Sequence, residues 1–357
     1  MAALLNLLRE TQKPRVSKYV RDLLDRAKTE HGENSGAYRG IYNQYFRMPT
    51  AEPGPAQSER HYNALGDLPA GVERLYRRVV VVDLLTACSS ECVFCIRGLY
   101  DPHTLKGTEV SRVIDYLAHD RYLTEVLITG GDPLISPGRL AELIDGIAAS
   151  APNIQVIRIG TRLPVQNPFA VGKDTYEIFQ RHADRFLFEI AIQINHPFEL
   201  QNEPIEIINH LSRSGVRLYS QNVLLKAVND DLDTLIDLYE RLRSLRMIPH
   251  YLFHAVPMIG TDEFRTSVAR GLELARQLTT CGHLSGMGKP MFSVMTAVGK
   301  LTLYEDSILS ERDGIITFRT SYRLEDRLRW NPGYQLPEGA WVNEQGTIDV
   351  QYVDGVD

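Results

Sequence analysis

Residues 79–95 read VVVVDLLTACSSECVFC. The first seven form an almost unbroken apolar, β-branched run, the pattern of a strand buried on both faces in a parallel sheet. The run stops at Leu85, and Cys88, Cys92 and Cys95 follow in a loop with C-x3-C-x2-C spacing. Downstream the same rhythm recurs, with apolar runs at 125–129, 154–160, 186–194, 217–224 and 248–255. Helix-period stretches such as EVSRVIDYLAHD, GRLAELIDGIAAS and LDTLIDLYERLRSL lie between them. About six strand–helix units in series predict an α/β fold with a parallel sheet and right-handed crossovers, open or curled into a partial (β/α)6 TIM-like barrel. Ligands in such sheets bind beyond the C-terminal ends of the strands, which is where the cysteine loop falls.

Outward from this core, Val20, Leu23, Leu24 and Ala27 sit at i, i+3, i+4 and i+7 and predict an amphipathic helix over 17–31. The stretch 49–71 is rich in Pro, Gly, Ala and polar residues and reads as a long arm or linker. The tail beyond Lys300 reads as short strands and loops. The chain therefore divides into an N-terminal helical arm and linker (1–75), a partial barrel (76–285) and a C-terminal segment and cap (286–357).

The 357 residues carry a net charge of −6, with 43% hydrophobic and 24% charged residues, an ordinary globular composition. That balance offers no large basic field, so phosphate-backbone binding and anionic membrane surfaces are disfavoured. No apolar run reaches the roughly 18–20 residues needed to span a bilayer, and the 79–85 run is broken by Asp83. The opening MAALLNLLRE lacks the basic start and long apolar stretch of an export signal. Four cysteines are too few for a disulfide scaffold, and three of them crowd one loop, which points to a reducing, cytoplasmic compartment and a metal.

Iron–sulfur clusters are held by thiolates at short local spacings, and a four-iron cluster with three protein ligands leaves one iron open to another molecule. A structural zinc site wants four ligands, usually as two separated pairs; no second C-x2-C exists here, and Cys281 stands alone. Zinc and plain core thiols remain the lesser alternatives. One strand further on, EVLIT runs into Gly130-Gly131-Asp132-Pro133. Two glycines allow close backbone approach and a carboxylate accepts from an ammonium, although a tight turn alone would also explain the segment.

At these motifs the sequence resembles the radical S-adenosylmethionine (SAM) enzymes, in which the open iron chelates SAM. Within that superfamily it is similar to lysine 2,3-aminomutase and its relatives from about 45 to 322, through CSSECVFCIR, VLITGGDPL, VIRIGTRLPV, INHPFE, SQNVLLKAVND and FRTSVARGLE. The resemblance implies a radical SAM partial barrel with Cys88, Cys92 and Cys95 on a [4Fe-4S] cluster, and Gly130, Gly131 and Asp132 receiving the SAM amino group. It implies pyridoxal 5′-phosphate (PLP) bound through Lys300, so that the 286–357 segment supplies the PLP lysine, with Arg74, Arg78 and Arg162 at the phosphate. It places His196 and Gln221 near SAM and Arg97 on the substrate carboxylate. By residue type alone, Lys300 and Arg97 would read as surface residues, the RLYRR arginines as a solvated strand entry and His196 as a structural histidine.

The positions matching the family's two lysine-binding carboxylates are Val256 and Met295, neither of which can pair with a buried ammonium. The implied reaction is therefore a 2,3-amino shift on a non-lysine α-amino acid, begun by 5′-deoxyadenosyl radical hydrogen abstraction. Elimination or desaturation on the same cofactors, and a non-catalytic binding homologue, are the alternatives. An external electron donor such as flavodoxin or ferredoxin is implied as partner. The family's extra cysteines for an intersubunit zinc are missing, which leaves a homo-oligomer open.

Overall fold

The structure, a computed structural model, describes residues 15–47, 68–96, 103–258, 261–304 and 306–357. Its arm begins with helix α1 (Lys18–His31), where the Ser17 hydroxyl accepts from the Val20 N–H and so satisfies one orphan donor of the first turn. Helix α2 (Gly36–Tyr45) folds back on it. The expected apolar face is present: Val20, Leu23 and Ala27 are buried and Leu24 half-buried. With Val16, Tyr19, Ile41 and Tyr45, Val20 and Leu23 make an apolar cluster separate from the main core, with Cys92 and Phe198 at its edge. Each fully buried Leu or Val there contributes about 1.5–3 kcal/mol toward holding the arm against the cysteine loop. Most of the expected 49–71 linker lies outside the described residues.

Nine strands make the main sheet, in sequence order: β1 (Val72–Glu73), β2 (Val79–Leu85), β3 (Glu125–Gly130), β4 (Val156–Thr161), β5 (Leu187–Ile192), β6 (Arg217–Leu224), β7 (Ile248–His254), β8 (Met291–Thr296) and β9 (Gly299–Thr302). From β2 to β8 every pairing is parallel, while β1 and β9 are antiparallel edge strands. Helices α3 (Thr108–His119), α4 (Pro137–Ser150), α5 (Lys173–Arg181), α6 (Asn202–Arg213), α7 (Leu232–Ser244) and α8 (Val268–Thr280) make the crossovers. The two edges approach each other, because the Lys300 N–H of β9 donates to Tyr76 Oη in the β1–β2 connection at 3.1 Å. The sheet is thus curled into a half-barrel with a lumen, the architecture expected.

Two features differ from the expectation. Strands β8 and β9 lie beyond residue 285, so the sheet runs into the segment assigned to the cap and Lys300 sits on a barrel strand. The strands are also not apolar on both faces. Val126, Ile128, Ile157, Ile159, Ile190 and Leu218 pack under the helices as the core. The opposite, lumen face carries Glu125, Arg158, Glu189 and Tyr219, joined to one another by side-chain contacts. A half-barrel leaves that face partly open to solvent, so polar side chains are tolerated there when paired. A four-stranded antiparallel sheet of β10 (Ile308–Arg312), β11 (Ile315–Arg319), β12 (Ala340–Val342) and β13 (Ile348–Val353), with helix α9 (Leu324–Trp330), forms the cap. Among the described residues no helix is long and apolar enough to cross a membrane.

Candidate active site

The cysteine loop is fixed from two sides. From the arm, Arg15 and Gln44 carbonyls accept from the Glu91 and Val93 N–H groups at 2.8 and 3.0 Å, and the Ser17 N–H donates to Ser90 Oγ at 3.0 Å. From the sheet, the Asp132 N–H donates to the Ala87 carbonyl at 2.9 Å, so the Gly130-Gly131 turn lies directly beneath the loop. A Cβ on Gly131 would sit 2.1 Å from the Ala87 carbonyl oxygen, and Gly130 has φ +118° with a would-be Cβ 2.3 Å from the Leu85 oxygen. Both glycines are required by backbone approach. Gly131→Ala is therefore expected to lower stability by about 2–3 kcal/mol in chemical denaturation, because backbone meets backbone and neither can rotate away. A loss within about 0.5 kcal/mol, the range of an ordinary surface substitution, would refute this packing.

Asp132 is buried, and its carboxylate was expected to accept an ammonium. Instead it accepts from the Leu134, Arg162 and Leu163 N–H groups at 3.1, 2.7 and 2.8 Å and from Thr161 Oγ1 at 2.8 Å. Burial pushes its carboxyl above the ordinary value, and these donors pull it back. These contacts tie the end of β3 to the end of β4.

Cys88, Cys92 and Cys95 are half-buried cysteines in no disulfide, on the C-terminal rim. Burial is the main cause raising the Cys88 thiol, followed by the charges of Cys95, Asp132 and Cys92, so the three sulfurs lie within electrostatic reach of one another. Burial also pushes the Cys92 thiol up to about 11, against the pull of the Arg162 guanidinium. Among the described residues no three His, Cys, Asp or Glu side chains converge at metal-binding distance. Cys92 Sγ instead accepts from Arg162 Nη1 at 2.8 Å and Gln166 Nε2 at 3.3 Å. The donor set nevertheless fits an iron–sulfur cluster: thiols on one local loop, with a cation beside them that favours the thiolate.

Arg162 therefore stands at the cysteine loop, and its remaining donors go to Glu199 Oε2 at 2.7 Å, Gln44 Oε1 at 2.9 Å and the Gln193 carbonyl at 3.3 Å. Arg74 is likewise occupied. Buried over the Trp330 ring, it donates to Asp120 at 2.7 Å, Tyr116 Oη at 2.8 Å and the Arg77 carbonyl at 2.8 Å. Four hydrogen bonds engage each of these two guanidinium groups in this structure. Arg78 is exposed at the start of β2, where its carbonyl accepts from the Thr124 and Glu125 N–H groups.

Lys300 projects into the lumen, its Nζ 3.9 Å from the Tyr251 ring centroid and 5.6 Å from that of Phe253. Burial, then the charge of Arg158, lowers its ammonium to about 8, and Glu125 opposes the shift. The same burial, with Lys300 and Arg158 nearby, lowers His250 to about 4. Arg158 bridges Glu125 at 3.0 Å and Glu189 at 2.7 Å, and Tyr219 Oη donates to Glu189 at 3.1 Å. A lysine about half neutral near pH 8 suits capture of an aldehyde such as that of PLP. The cap positions it: Tyr322 Oη donates to the Lys300 carbonyl, and fully buried Arg327 donates to the Val298 carbonyl while stacking 4.8 Å from Tyr322.

The remaining expected residues are distributed around this lumen. Met295 is directly opposite Lys300 in the β8–β9 ladder, and Val256 follows β7 in a buried position. Gln221 is half-buried on β6. His196 caps the short helix Pro197–Glu199, its Nδ1 accepting from the Phe198 N–H at 3.1 Å, and its ring fills the space over Gly40 of α2. Burial lowers it to about 4, which favours the neutral ring. Arg97 lies outside the described residues. Sequence reasoning missed Arg158, Glu125, Glu189, Tyr322, Arg327, Gln44 and Glu199; an ionisable residue inside an otherwise apolar strand was the available signal for the first three.

A partial-barrel protein with a three-thiol loop on the C-terminal rim and a buried lysine in the lumen is the class defined by this fold and site. No family model matches the chain. It is 34% identical over 240 residues to a putative L-lysine 2,3-aminomutase of Aquifex aeolicus, covering 66% of this chain and 63% of that one. It is 30% identical over 259 residues to the glutamate 2,3-aminomutase of Clostridioides difficile, covering 71% and 60%, and 28% identical over 227 residues to the L-lysine 2,3-aminomutase of Clostridium subterminale, covering 63% and 53%. Among solved structures, a radical SAM methyltransferase from Sphaerobacter thermophilus matches with a TM-score of 0.44 and 16% identity, over 79% of this chain and 96% of that one. The chain thus spans between about half and two thirds of the length of these three aminomutase relatives. Over these stretches the chain is similar to proteins named as lysine and glutamate 2,3-aminomutases.

Proposed function

We propose that this chain is a radical SAM, PLP-dependent 2,3-aminomutase that converts a non-lysine α-amino acid to a β-amino acid. The observation that carries the reading is the pairing, in one half-barrel, of a three-thiol loop on the rim with a lumen lysine lowered to about 8. Relatives named as lysine and glutamate aminomutases support the same reaction class. Together the cluster, SAM and PLP would supply the radical chemistry that moves an amino group between neighbouring carbons. The chain's own part is to hold them: Cys88, Cys92 and Cys95 for iron, Lys300 for PLP, and Arg97 for the substrate carboxylate, with an external one-electron donor such as flavodoxin or ferredoxin.

Specificity follows from the lumen's charges. Buried Val256 and lumen-side Met295 offer no counter-charge, and the lumen carboxylates Glu125 and Glu189 are held by Arg158. A lysine side chain would lose hydration without gaining a partner, at a cost of roughly 3–5 kcal/mol. Lysine is therefore expected to show kcat/KM several hundred-fold below the best neutral or polar amino acid, roughly the ratio that energy implies. The test is an anaerobic screen of lysine, arginine, glutamate and neutral and aromatic amino acids, with 5′-deoxyadenosine release and product NMR as readouts. Lysine emerging as the best substrate would overturn the specificity reading, and no release with any amino acid would overturn the reaction.

A further inference from the structure

Cys92 is singled out by its surroundings. Two side chains that are themselves buried, Arg162 and Gln166, both donate to its sulfur, at 2.8 and 3.3 Å. Arg162 is held from behind by fully buried Glu199 and Gln44, and its guanidinium lies 5.1 Å from the Tyr45 ring and 5.5 Å from that of Phe94. Gln44 and Tyr45 come from α2, so the arm completes the arrangement. Glu199 Oε1 in turn accepts from the Asn195 and His196 N–H groups at 2.8 and 2.9 Å, which fixes the carboxylate before it meets the arginine. A planar, permanently charged fork held this rigidly presents a fixed positive charge and an N–H to one thiolate.

We infer that Arg162, assisted by Gln166, is a positioning residue that acts through Cys92, orienting its sulfur and easing the one-electron reduction of the iron–sulfur cluster bound there. The inference rests on the reading of Cys88, Cys92 and Cys95 as cluster ligands. Reduction adds one negative charge from an external one-electron donor to a group whose sulfur already accepts hydrogen bonds. Donors to cluster sulfurs stabilise the more negative, reduced form, and burial in low dielectric strengthens the effect.

The test is a redox titration of the anaerobically reconstituted full chain with dithionite, followed by electron paramagnetic resonance. Arg162→Gln alone would leave Glu199 buried and uncompensated, so the double variant Arg162→Gln/Glu199→Gln is used, in which a neutral amide pair replaces the ion pair. At the wild-type midpoint its reduced-to-oxidised ratio is expected to fall about tenfold, and that of Gln166→Met about threefold in the same direction. Arg162→Lys, which keeps the charge and loses the fork, is expected to fall between wild type and the double variant. If the double variant does not load iron, Gln166→Met alone decides. Fully loaded variants with the wild-type midpoint overturn this inference by itself, whereas wild-type protein that binds no iron overturns the cluster reading and this inference with it.

Discussion

Serine at Cys88, Cys92 or Cys95 is expected to leave the reconstituted protein without iron and sulfide and without 5′-deoxyadenosine release from SAM, while Cys281→Ala keeps both. The three loop thiols share one rim of the barrel and feel one another's charge, whereas Cys281 is a half-buried residue at the end of α8, its Sγ 3.6 Å from the Leu278 carbonyl. Residues that merely support metal ligands typically cost about 10–100-fold in metal affinity or activity when replaced, so loss of a ligand itself should exceed that. Iron and sulfide assays with circular dichroism as a folding control read the outcome. Iron retained by Cys92→Ser and lost by Cys281→Ala would break the assignment.

Much of this site could be read from sequence because its parts are local. The C-x3-C-x2-C loop and the Gly-Gly turn each lie within ten residues, and each follows a strand whose apolar run is long enough to recognise. Strands expected at 79–85 and 217–224 have those bounds, and 248–255 ends one residue early at His254. β8 was not read as a strand because Ser293, which faces Thr302 of β9 in a polar pair at 2.9 Å, breaks the apolar run of MFSVMT. What stayed hidden depends on register and on distant segments. Arg158 and Glu189 are opposite each other only because β4 and β5 pair as they do, and Arg162 meets Cys92, Gln44 and Glu199 from three separate stretches of chain. An arginine at a strand end is equally suited to a phosphate and to a thiolate; its partners decide, and a sequence does not display them.

The second large effect concerns Lys300. Borohydride treatment of the full chain with PLP is expected to place a pyridoxyl group on Lys300, and Lys300→Met to reduce that label to background with loss of turnover. A lysine lowered to about 8, against about 10.4 for a free side chain, holds on the order of a hundredfold more neutral amine near neutral pH than surface lysines do. Labelling should therefore be selective at low PLP and half-maximal near pH 8. Arg158 provides the discriminating control. Its positive charge pushes the Lys300 ammonium toward neutrality, and it holds Glu125, whose charge pulls the ammonium the other way. Removing the guanidinium acts in one direction on both counts, so Arg158→Met should move the labelling midpoint upward, and Arg158→Lys, which keeps the charge, should move it less. Burial is the larger cause of the shift, so part of it should survive in both variants. A label found on another lysine would remove Lys300 from its assigned role. A midpoint unmoved by Arg158→Met would show that burial alone sets the reactivity of this amine.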